Sequence, residues 1–232
     1  MSKRVALITG AGRGIGRAVA VALAKLDYAA VLVSRTESEL LETEKLGPGA
    51  CVFPCDIAMA QAAKDAVQKS LDTFGRLDAV IHCAGVAPVL KIEETTDAQW
   101  HDIIDTNLSA AFNLARAAWP TFVKQKAGVI VNISSVAARD PFVGFAAYGA
   151  AKAGVNLLGL ALAREGQSHG IRVHTVAPGA TETQMFRKLL TPEQFPSEKT
   201  LDPADVARVV VQCVTGELAP TNGEVIWVHK TV

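Results

Sequence analysis

Tyr148 and Lys152 stand four residues apart within a segment of helical periodicity, in the run Tyr-Gly-Ala-Ala-Lys. Residues at this spacing share one face of a helix, so the phenol and the ammonium lie side by side. A free tyrosine has a pKa of about 10, and a neighbouring cation lowers it by stabilising the phenolate. A tyrosine tuned in this way can exchange a proton with an alcohol or carbonyl oxygen. Alone, such a pair is common and usually structural, so the chemistry needs further support.

A glycine-rich turn follows the first apolar run of the chain. The run Val5–Thr9 leads into Gly10, Gly14 and Gly16, with Arg13 between them, and a helical pattern follows. Glycines permit a tight turn and let backbone amides and the amino end of a helix face a pyrophosphate. The spacing is GxxxGxG rather than GxGxxG, and glycines also mark ordinary turns. The order of strand, turn and helix favours dinucleotide binding.

The end of the second predicted strand bears on which dinucleotide binds. Folds that bind NAD usually place an acid there, which accepts hydrogen bonds from the adenosine ribose. This chain has Ser34 and Arg35 instead, and Arg35 together with Arg13 can hold a 2′-phosphate. Glu37 lies near the expected distance from the glycines, but we place it in the first turn of the next helix, where acids are favoured. The sequence therefore predicts NADP(H), against the alternative that both arginines are solvated surface charges.

Short apolar runs alternate with helical patterns along the whole chain. Nearly continuous apolar strands separated by helices predict a doubly wound, Rossmann-type α/β fold, with a seven-stranded, mostly parallel sheet covered by helices on both faces. We expect one domain over residues 1–232, with a substrate flap at about 179–202 where no regular pattern is found. The predicted strands are Val5–Thr9, Ala29–Val33, Cys51–Cys55, Ala79–His82, Val129–Ile133, Arg172–Val176 and Val225–Val228, and the predicted helices are 14–26, 37–46, 59–74, 97–125, 147–168 and 203–215.

Composition excludes several classes of function. The 23 basic residues equal the 23 acidic ones, so no net field attracts nucleic acid or an anionic membrane. The best candidate for a membrane span, residues 143–163, contains Lys152. The four cysteines are scattered, and we expect reduced thiols and no metal site. These features, with no signal peptide recognised, predict a cytoplasmic protein.

The ordered set of motifs resembles the short-chain dehydrogenase/reductase family, in its compact single-domain branch. The resemblance covers nearly the whole chain, and a separation of thirteen residues between Ser135 and Tyr148 also fits. The matching residues are the glycine turn at 9–16, Cys55-Asp56-Ile57, Ala84-Gly85, Asn107, Ile133-Ser134-Ser135, Tyr148 with Lys152, and Pro178-Gly179 with Thr183.

The resemblance implies a role for each matching residue. Tyr148 would be the acid or base, Ser135 would bind the reacting oxygen, Lys152 would lower the tyrosine pKa and bind the nicotinamide ribose, and Asn107 would hold a relay water. Asp56 would bind the adenine and Thr183 the carboxamide of the nicotinamide. The implied cofactor site consists of Gly10, Arg13, Gly14, Ile15, Gly16, Ser34, Arg35, Asp56, Ile57, Ala84, Gly85, Tyr148, Lys152, Pro178, Gly179, Thr181 and Thr183.

Two segments depart from the family pattern. His82 and Cys83 stand where the family has two asparagines before Ala84-Gly85; we favour a tolerated structural substitution over a pH- or redox-sensitive cofactor site. The end of the chain, Ile226 to Val232, lacks the usual aspartate and two glycines and carries Trp227. A homodimer or homotetramer is implied by the family, and alanine-rich helices suit its helix-to-helix interface, whereas the altered end leaves tetrameric packing open.

The substrate is the least determined feature. Phe145, Met185 and Phe186 are expected to form an apolar pocket, and a general ketone or aldehyde reductase is the favoured function. The alternative is a 3-oxoacyl carrier-protein reductase, in which Arg187 and Lys188 meet an acidic partner, with Lys126 and His169 at positions that are basic in those relatives. A non-catalytic NADPH-binding sensor is the alternative of another class.

Overall fold

The computed structural model describes residues 3–47 and 49–230. Their centre is a single parallel sheet whose strand order is β3-β2-β1-β4-β5-β6-β7. The predicted fold class is thereby confirmed, and every pairing in the sheet is parallel. The strands are β1 (Val5–Thr9), β2 (Ala29–Ser34), β3 (Ala50–Pro54), β4 (Ala79–His82), β5 (Gly128–Ile133), β6 (Ile171–Pro178) and β7 (Val225–Val228).

The chain reverses its direction of winding between β1 and β4, which are neighbours in the sheet. The register sets Thr9 beside His82, and His82 beside Asn132. Loops that leave the carboxyl ends of β1 and β4 therefore diverge, and the crevice between them is where ligands bind in open parallel sheets.

Helices cover both faces of the sheet. One apolar layer includes Val19, Leu23 and Val210, and the other includes Leu114 and Phe122. Strands that are buried on both sides need this cover, which explains why they read as continuous apolar runs. The helices are α1 (Gly14–Ala24), α2 (Glu37–Leu46), α3 (Ala60–Phe74), α4 (Asp97–Ile104), α5 (Ala110–Gln125), α6 (Ala146–Gly166), α7 (Gln184–Arg187) and α8 (Pro203–Thr215).

The element bounds differ from the sequence expectation in a few places. The helix expected at 97–125 is interrupted by a π-helical turn, Asp105–Ser109, which separates α4 from α5. Strand β6 continues two residues beyond Val176, to Pro178. Within 179–202, Thr181 and Leu201 form a parallel bridge and α7 occupies four residues, capped by the Thr183 hydroxyl. As expected, Glu37 is the first residue of α2.

Helix α6 with the turn after it, Ala146–His169, is long and apolar enough to span a membrane by length and composition. In the fold it packs on β6, where a Cβ on Gly159 would overlap the Thr175 hydroxyl. Lys152, in the same helix, is only 4% exposed. The apolar composition of α6 thus matches its position against the sheet.

A row of polar side chains runs across the buried sheet at one register level: Thr9, His82, Asn132 and Thr175. The Ala84 amide donates to Thr9 Oγ1 (3.1 Å), and Thr9 Oγ1 lies 2.9 Å from His82 Nδ1. Burial, with a smaller effect of Lys152, lowers the pKa of His82 to about 3. His82 is therefore neutral at physiological pH and links β1 to β4.

Two buried histidines make stability depend on pH. Burial lowers the pKa of His174 to about 4 and that of His82 to about 3. Below pH 6.5 the unfolded chain binds protons that the folded chain does not, so stability falls as the pH drops from about 6.5 toward 4. Linkage gives a loss of about 2 kcal/mol per histidine between pH 7 and pH 5.

We expect His174→Gln to remove about half of the combined loss of stability from the two histidines, because one of the two buried sites no longer titrates. Urea unfolding at pH 7 and pH 5 measures this loss. His101→Gln, at an exposed position on α4, is the control and is expected to behave as the wild type. A loss in His174→Gln equal to that of the wild type would contradict the assignment.

Candidate active site

One cleft of about 770 Å³ lies at the carboxyl ends of the strands. Every residue that the sequence analysis assigned to the catalytic set, the cofactor site or the substrate pocket lines this cleft. The residues come from eight separate segments of the chain, so their convergence is a property of the fold and not of sequence proximity.

Two serines follow β5 and have different environments. Ser134 is buried, and its hydroxyl donates to the Lys152 carbonyl (3.2 Å), which ties β5 to α6. Ser135 is half-buried, and its Oγ accepts from the Ala137 amide (3.1 Å). The Ser135 hydroxyl keeps a proton that it can donate into the cleft, which favours Ser135 over Ser134 as the group that binds a reacting oxygen.

Tyr148 stands in the first turn of α6, against the edge of the Phe145 ring (5.2 Å between centroids). Burial raises the pKa of Tyr148, and a hydrogen bond with Ser135 opposes the rise. The sequence predicts that Lys152 lowers the pKa of Tyr148, and this effect is not found. The Lys152 ammonium lies 5.7 Å from the Tyr148 ring centroid and donates to the Ile133 carbonyl (2.9 Å).

Lys152 is the most deeply buried cation of the site. Burial lowers its pKa to about 8, and the Cys83 thiol opposes this shift. The ammonium therefore remains mostly protonated at neutral pH but can give up its proton within about one pH unit of it, as a proton relay requires.

Asn107 is placed by the π-helical turn. Its Nδ2 donates to the carbonyls of Val86 and Ile103, both at 2.9 Å, and its Oδ1 has no partner among residues 3–47 and 49–230. A Cβ on Gly85 would stand 2.7 Å from Asn107 Oδ1 and 3.5 Å from Lys152 Nζ. Gly85 thus leaves open the space between a buried acceptor and a buried cation, which suits a relay through water.

The glycine turn forms the opposite wall of the cleft. Gly10 and Gly14 have positive φ angles, +62° and +53°, which residues other than glycine rarely adopt. A Cβ on Gly16 would overlap the Gly10 carbonyl. The amino end of α1, which begins at Gly14, therefore opens directly onto the cleft, and this cradle fits a pyrophosphate.

The remaining cofactor candidates surround this cradle. Ser34 and Arg35 lie at the end of β2, and Arg35 is exposed. Asp56 Oδ1 accepts from the Ala58 amide (3.1 Å), and Ile57 beside it is buried. After β6, the Gly179 amide donates to the Val228 carbonyl (2.9 Å). The other members of this set lining the cleft are Ile15, Ala84, Pro178, Thr181 and Thr183.

The comparisons with known proteins decide the family. The family model described as short chain dehydrogenase matches residues 4–194, most of the chain. The chain belongs to the short-chain dehydrogenase family. It is an oxidoreductase of that family, and the resemblance of its motifs is thereby confirmed.

Several members of the family are similar over nearly their full length. An acetoacetyl-CoA reductase of Shinella zoogloeoides is 32% identical, with 96% of this chain and 95% of that protein covered. A 3-oxoacyl-[acyl-carrier-protein] reductase of Vibrio cholerae is 32% identical, with 97% and 96% covered. The crystal structure of gox2181 superposes with a TM-score of 0.90 at 31% identity, covering 98% of this chain and 95% of that one.

The pKa values of His82 and Cys83 bear on the two interpretations of these departures from the family pattern. Burial raises the pKa of the Cys83 thiol to about 12, and that of His82 is lowered to about 3. Neither group changes its charge near neutral pH, and thiols with a raised pKa react slowly. The structure thus supports the tolerated substitution over a pH- or redox-sensitive cofactor site.

Of the four basic residues considered for carrier-protein docking, Lys188 is exposed on the flap, whereas the other three are paired or lie away from the cleft. The guanidinium of Arg187 forms a bidentate pair with Glu182 (2.6 Å from Nε to Oε1) and donates to the Phe195 carbonyl (2.7 Å). Lys126 and His169 precede β5 and β6, at the amino edge of the sheet. Because the cleft lies at the carboxyl edge, these two residues do not flank it within one chain.

Among the residues that sequence reasoning missed at the cleft or its rim, Glu39, Glu182 and Gln184 make contacts that shape the site. Glu39 lines the cleft, whereas Glu37, the acid weighed from the sequence, does not. Arg13 donates to Glu39 Oε1 (3.1 Å) and to Gln184 Oε1 (3.2 Å), which joins the glycine turn to α2 and α7. The signal available in the sequence was Glu39, the second acid in the first turn of α2, which follows Ser34 by five residues.

The Glu182–Arg187 pair fastens residues 182–200. Glu182 also accepts from the Thr200 hydroxyl (2.9 Å), and Arg187 donates to Ser197 Oγ (2.9 Å).

We expect Arg187→Gln to loosen this segment, so that a glutamate-specific protease cuts after Glu193 and Glu198 at least several-fold faster than in the wild type.

Lys188→Gln is the matched control, since Lys188 is exposed and adjacent. Equal cleavage rates for Arg187→Gln and Lys188→Gln, followed by mass spectrometry, would show that the ion pair does not hold the segment.

Proposed function

We propose that the protein is an NADP(H)-dependent reductase that converts a ketone or aldehyde carbonyl to an alcohol, and catalyses the reverse reaction. The observation that carries the proposal is the single cleft that joins the glycine cradle to Ser135, Tyr148, Lys152 and Asn107. A chain that only sensed the cofactor would have no need of a buried cation and a buried acceptor aligned behind a tyrosine.

The proposed chemistry divides between cofactor and chain. A nicotinamide cofactor held in the cleft would supply the hydride for reduction of the carbonyl carbon. Ser135 donates a hydrogen bond to the carbonyl oxygen and stabilises the charge that develops there. Tyr148 gives its hydroxyl proton to the same oxygen, which completes the alcohol. Lys152 gives a proton back towards Tyr148 and regains one from solvent, through water that Asn107 Oδ1 would hold in the space beside Gly85.

NADPH is the proposed cofactor because Ser34, Arg35 and Arg13 stand at the adenosine end of the cleft. Arg35 is exposed and makes no hydrogen bond or ion pair with another residue in the part of the chain that the structure describes. A free guanidinium at the end of β2 suits a phosphate on the ribose. Asp56 would then hold the adenine, and Thr181 and Thr183 the nicotinamide end.

The substrate end of the cleft is apolar. Phe145 is buried, while Phe142, Val143 and Met185 are exposed at the mouth. Lys152 is the charged side chain at this end, and its ammonium already donates to the Ile133 carbonyl. The proposed substrate is therefore a carbonyl compound with an apolar chain or ring and without a carboxylate at the reacting end. Further apolar residues lining this end are Val86, Val89, Phe186, Leu189, Leu190 and Phe195.

A 3-oxoacyl thioester reductase is the second candidate. The similarity to proteins named acetoacetyl-CoA reductase and 3-oxoacyl-[acyl-carrier-protein] reductase favours it, and an acyl chain fits the apolar end of the cleft. The engagement of Arg187 by Glu182 neutralises one of the basic side chains of the flap, which speaks against strong docking of an acidic carrier protein there. Among thioesters, the small coenzyme A form is therefore the better candidate.

We also propose that the protein is a homodimer and that it is cytoplasmic. Phe112 on α5 and Leu157 on α6 are 46% and 68% exposed, and such apolar side chains on neighbouring helices suit a homodimer interface. The four cysteines are scattered along the chain, which suits a protein of the reducing cytoplasm.

Tyr148→Phe tests the proposal, with NADPH oxidation followed on acetoacetyl-CoA and on apolar ketones. We expect kcat to fall at least about 100-fold, because the proton donor is lost, while the Kd for NADPH stays within about twofold. Tyr28→Phe, which removes the hydroxyl that accepts from Arg4 far from the cleft, is the control with unchanged turnover.

Retained turnover in Tyr148→Phe would remove the tyrosine from the chemistry. Cofactor binding by the wild type without turnover of any carbonyl compound would favour the non-catalytic sensor.

A further inference from the structure

We propose that Glu39 is a specificity-determining residue of the cofactor site. Its carboxylate competes with a 2′-phosphate for Arg13 and accepts a hydrogen bond from the 2′-hydroxyl of a ribose that lacks the phosphate. The site therefore takes both nicotinamide dinucleotides, with a preference for NADPH smaller than the two arginines alone would give. This inference rests on the proposed function.

The Glu39 carboxylate lies close to the end of β2. Glu39 Oε2 and Ser34 Oγ each lie 3.1 Å from the point where a Cβ on Gly12 would stand, so these two oxygens are at most about 6 Å apart. Ser34 ends β2, where the adenosine ribose binds in dinucleotide folds. An acid supplied by α2 thus reaches the place at which NAD-binding proteins use an acid at the strand end.

The pairing of Arg13 is the second argument. Its guanidinium donates from the same nitrogen, Nη1, to Glu39 Oε1 (3.1 Å) and Gln184 Oε1 (3.2 Å). A phosphate that recruits Arg13 must share it with Glu39 or displace the carboxylate. Because Glu39 is three-quarters buried, its charge is less screened by water than that of a surface acid.

The carboxylate cannot withdraw easily, because the start of α2 is fastened to the glycine turn. Thr43 Oγ1 donates to the Ala11 carbonyl (2.9 Å), and Arg17 donates to the carbonyls of Gly12 and Glu39. Arg17 itself pairs with Glu42 (2.9 Å), so it does not neutralise the Glu39 carboxylate. The backbone at Glu39 is thereby held beside the ribose position, so a phosphate that binds there meets the carboxylate or has to turn its side chain aside.

Glu39→Gln keeps the size of the side chain and removes its charge. Loss of one negative charge about 5 to 6 Å from a phosphate dianion is expected to tighten NADPH binding about tenfold. Loss of a charged acceptor for the ribose hydroxyl is expected to weaken NADH binding about fivefold. The ratio of the two Kd values thus changes by a factor of about 50 in favour of NADPH.

The test measures Kd by nicotinamide fluorescence for NADPH and NADH with the purified full-length wild type, Glu39→Gln and Glu44→Gln. Adenosine 2′,5′-bisphosphate and 5′-AMP, as competitors, report on the adenosine end alone. Glu44→Gln is the matched control, since it removes the same charge from the same helix at a position outside the cleft and leaves the Arg17–Glu42 pair in place.

Opposite changes for the two cofactors in Glu39→Gln, with neither change in Glu44→Gln, support the proposal. Weaker NADPH binding would mean that Glu39 orients Arg13 for the phosphate, and equal changes for both cofactors would indicate a general charge effect; either result overturns it. The readout is binding, so a chain that binds both cofactors without turning over any carbonyl refutes the proposed function and not the role of Glu39. Absence of binding by the wild type refutes both.

Discussion

The site depends on the burial of one positive charge, the Lys152 ammonium. A cation that is 4% exposed and has a lowered pKa destabilises the fold relative to an apolar side chain of the same size. The Ile133 carbonyl, at the end of β5, is the acceptor that makes this burial tolerable. The end of β5, the packing of α6 and the gap beside Gly85 are arranged around this charge, which indicates that its chemistry is the reason for its position.

The other groups of the site follow from the same constraint. Ser134 ties α6 to β5 through the Lys152 carbonyl, which leaves Ser135 to face the cleft. The π-helical turn rotates Asn107 inward, and π turns inside helices are frequent at functional sites. His82, neutral and buried, joins β4 to β1 beneath them. The charge of the site is therefore concentrated in one lysine at one end and in two arginines, Asp56 and Glu39 at the other.

Much of this could be predicted from the sequence, because the strands are continuous apolar runs and the motifs occur in order along the chain. The seven strands and the glycine turn are clear for that reason. The π turn at Asn107 was not predictable, since its residues continue the helical pattern of their neighbours. The partners of Arg13 were not predictable either, because Glu39 and Gln184 reach it from two helices, α2 and α7, that are far apart in the sequence. The Glu182–Arg187 pair depends on the turn between the two residues, in a segment without a regular pattern. The missing contribution of Lys152 to the Tyr148 pKa depends on the direction of an ammonium, which spacing does not define.

The most direct test of this account is the free energy of unfolding of Lys152→Met at pH 7, measured by urea beside the wild type. The account predicts a variant at least as stable as the wild type, because an apolar side chain replaces a buried cation, although its turnover is lost. A variant less stable by about 2 kcal/mol or more would contradict it, since a loss typical of a disrupted core would mean that Lys152 is kept for the fold and not for proton transfer.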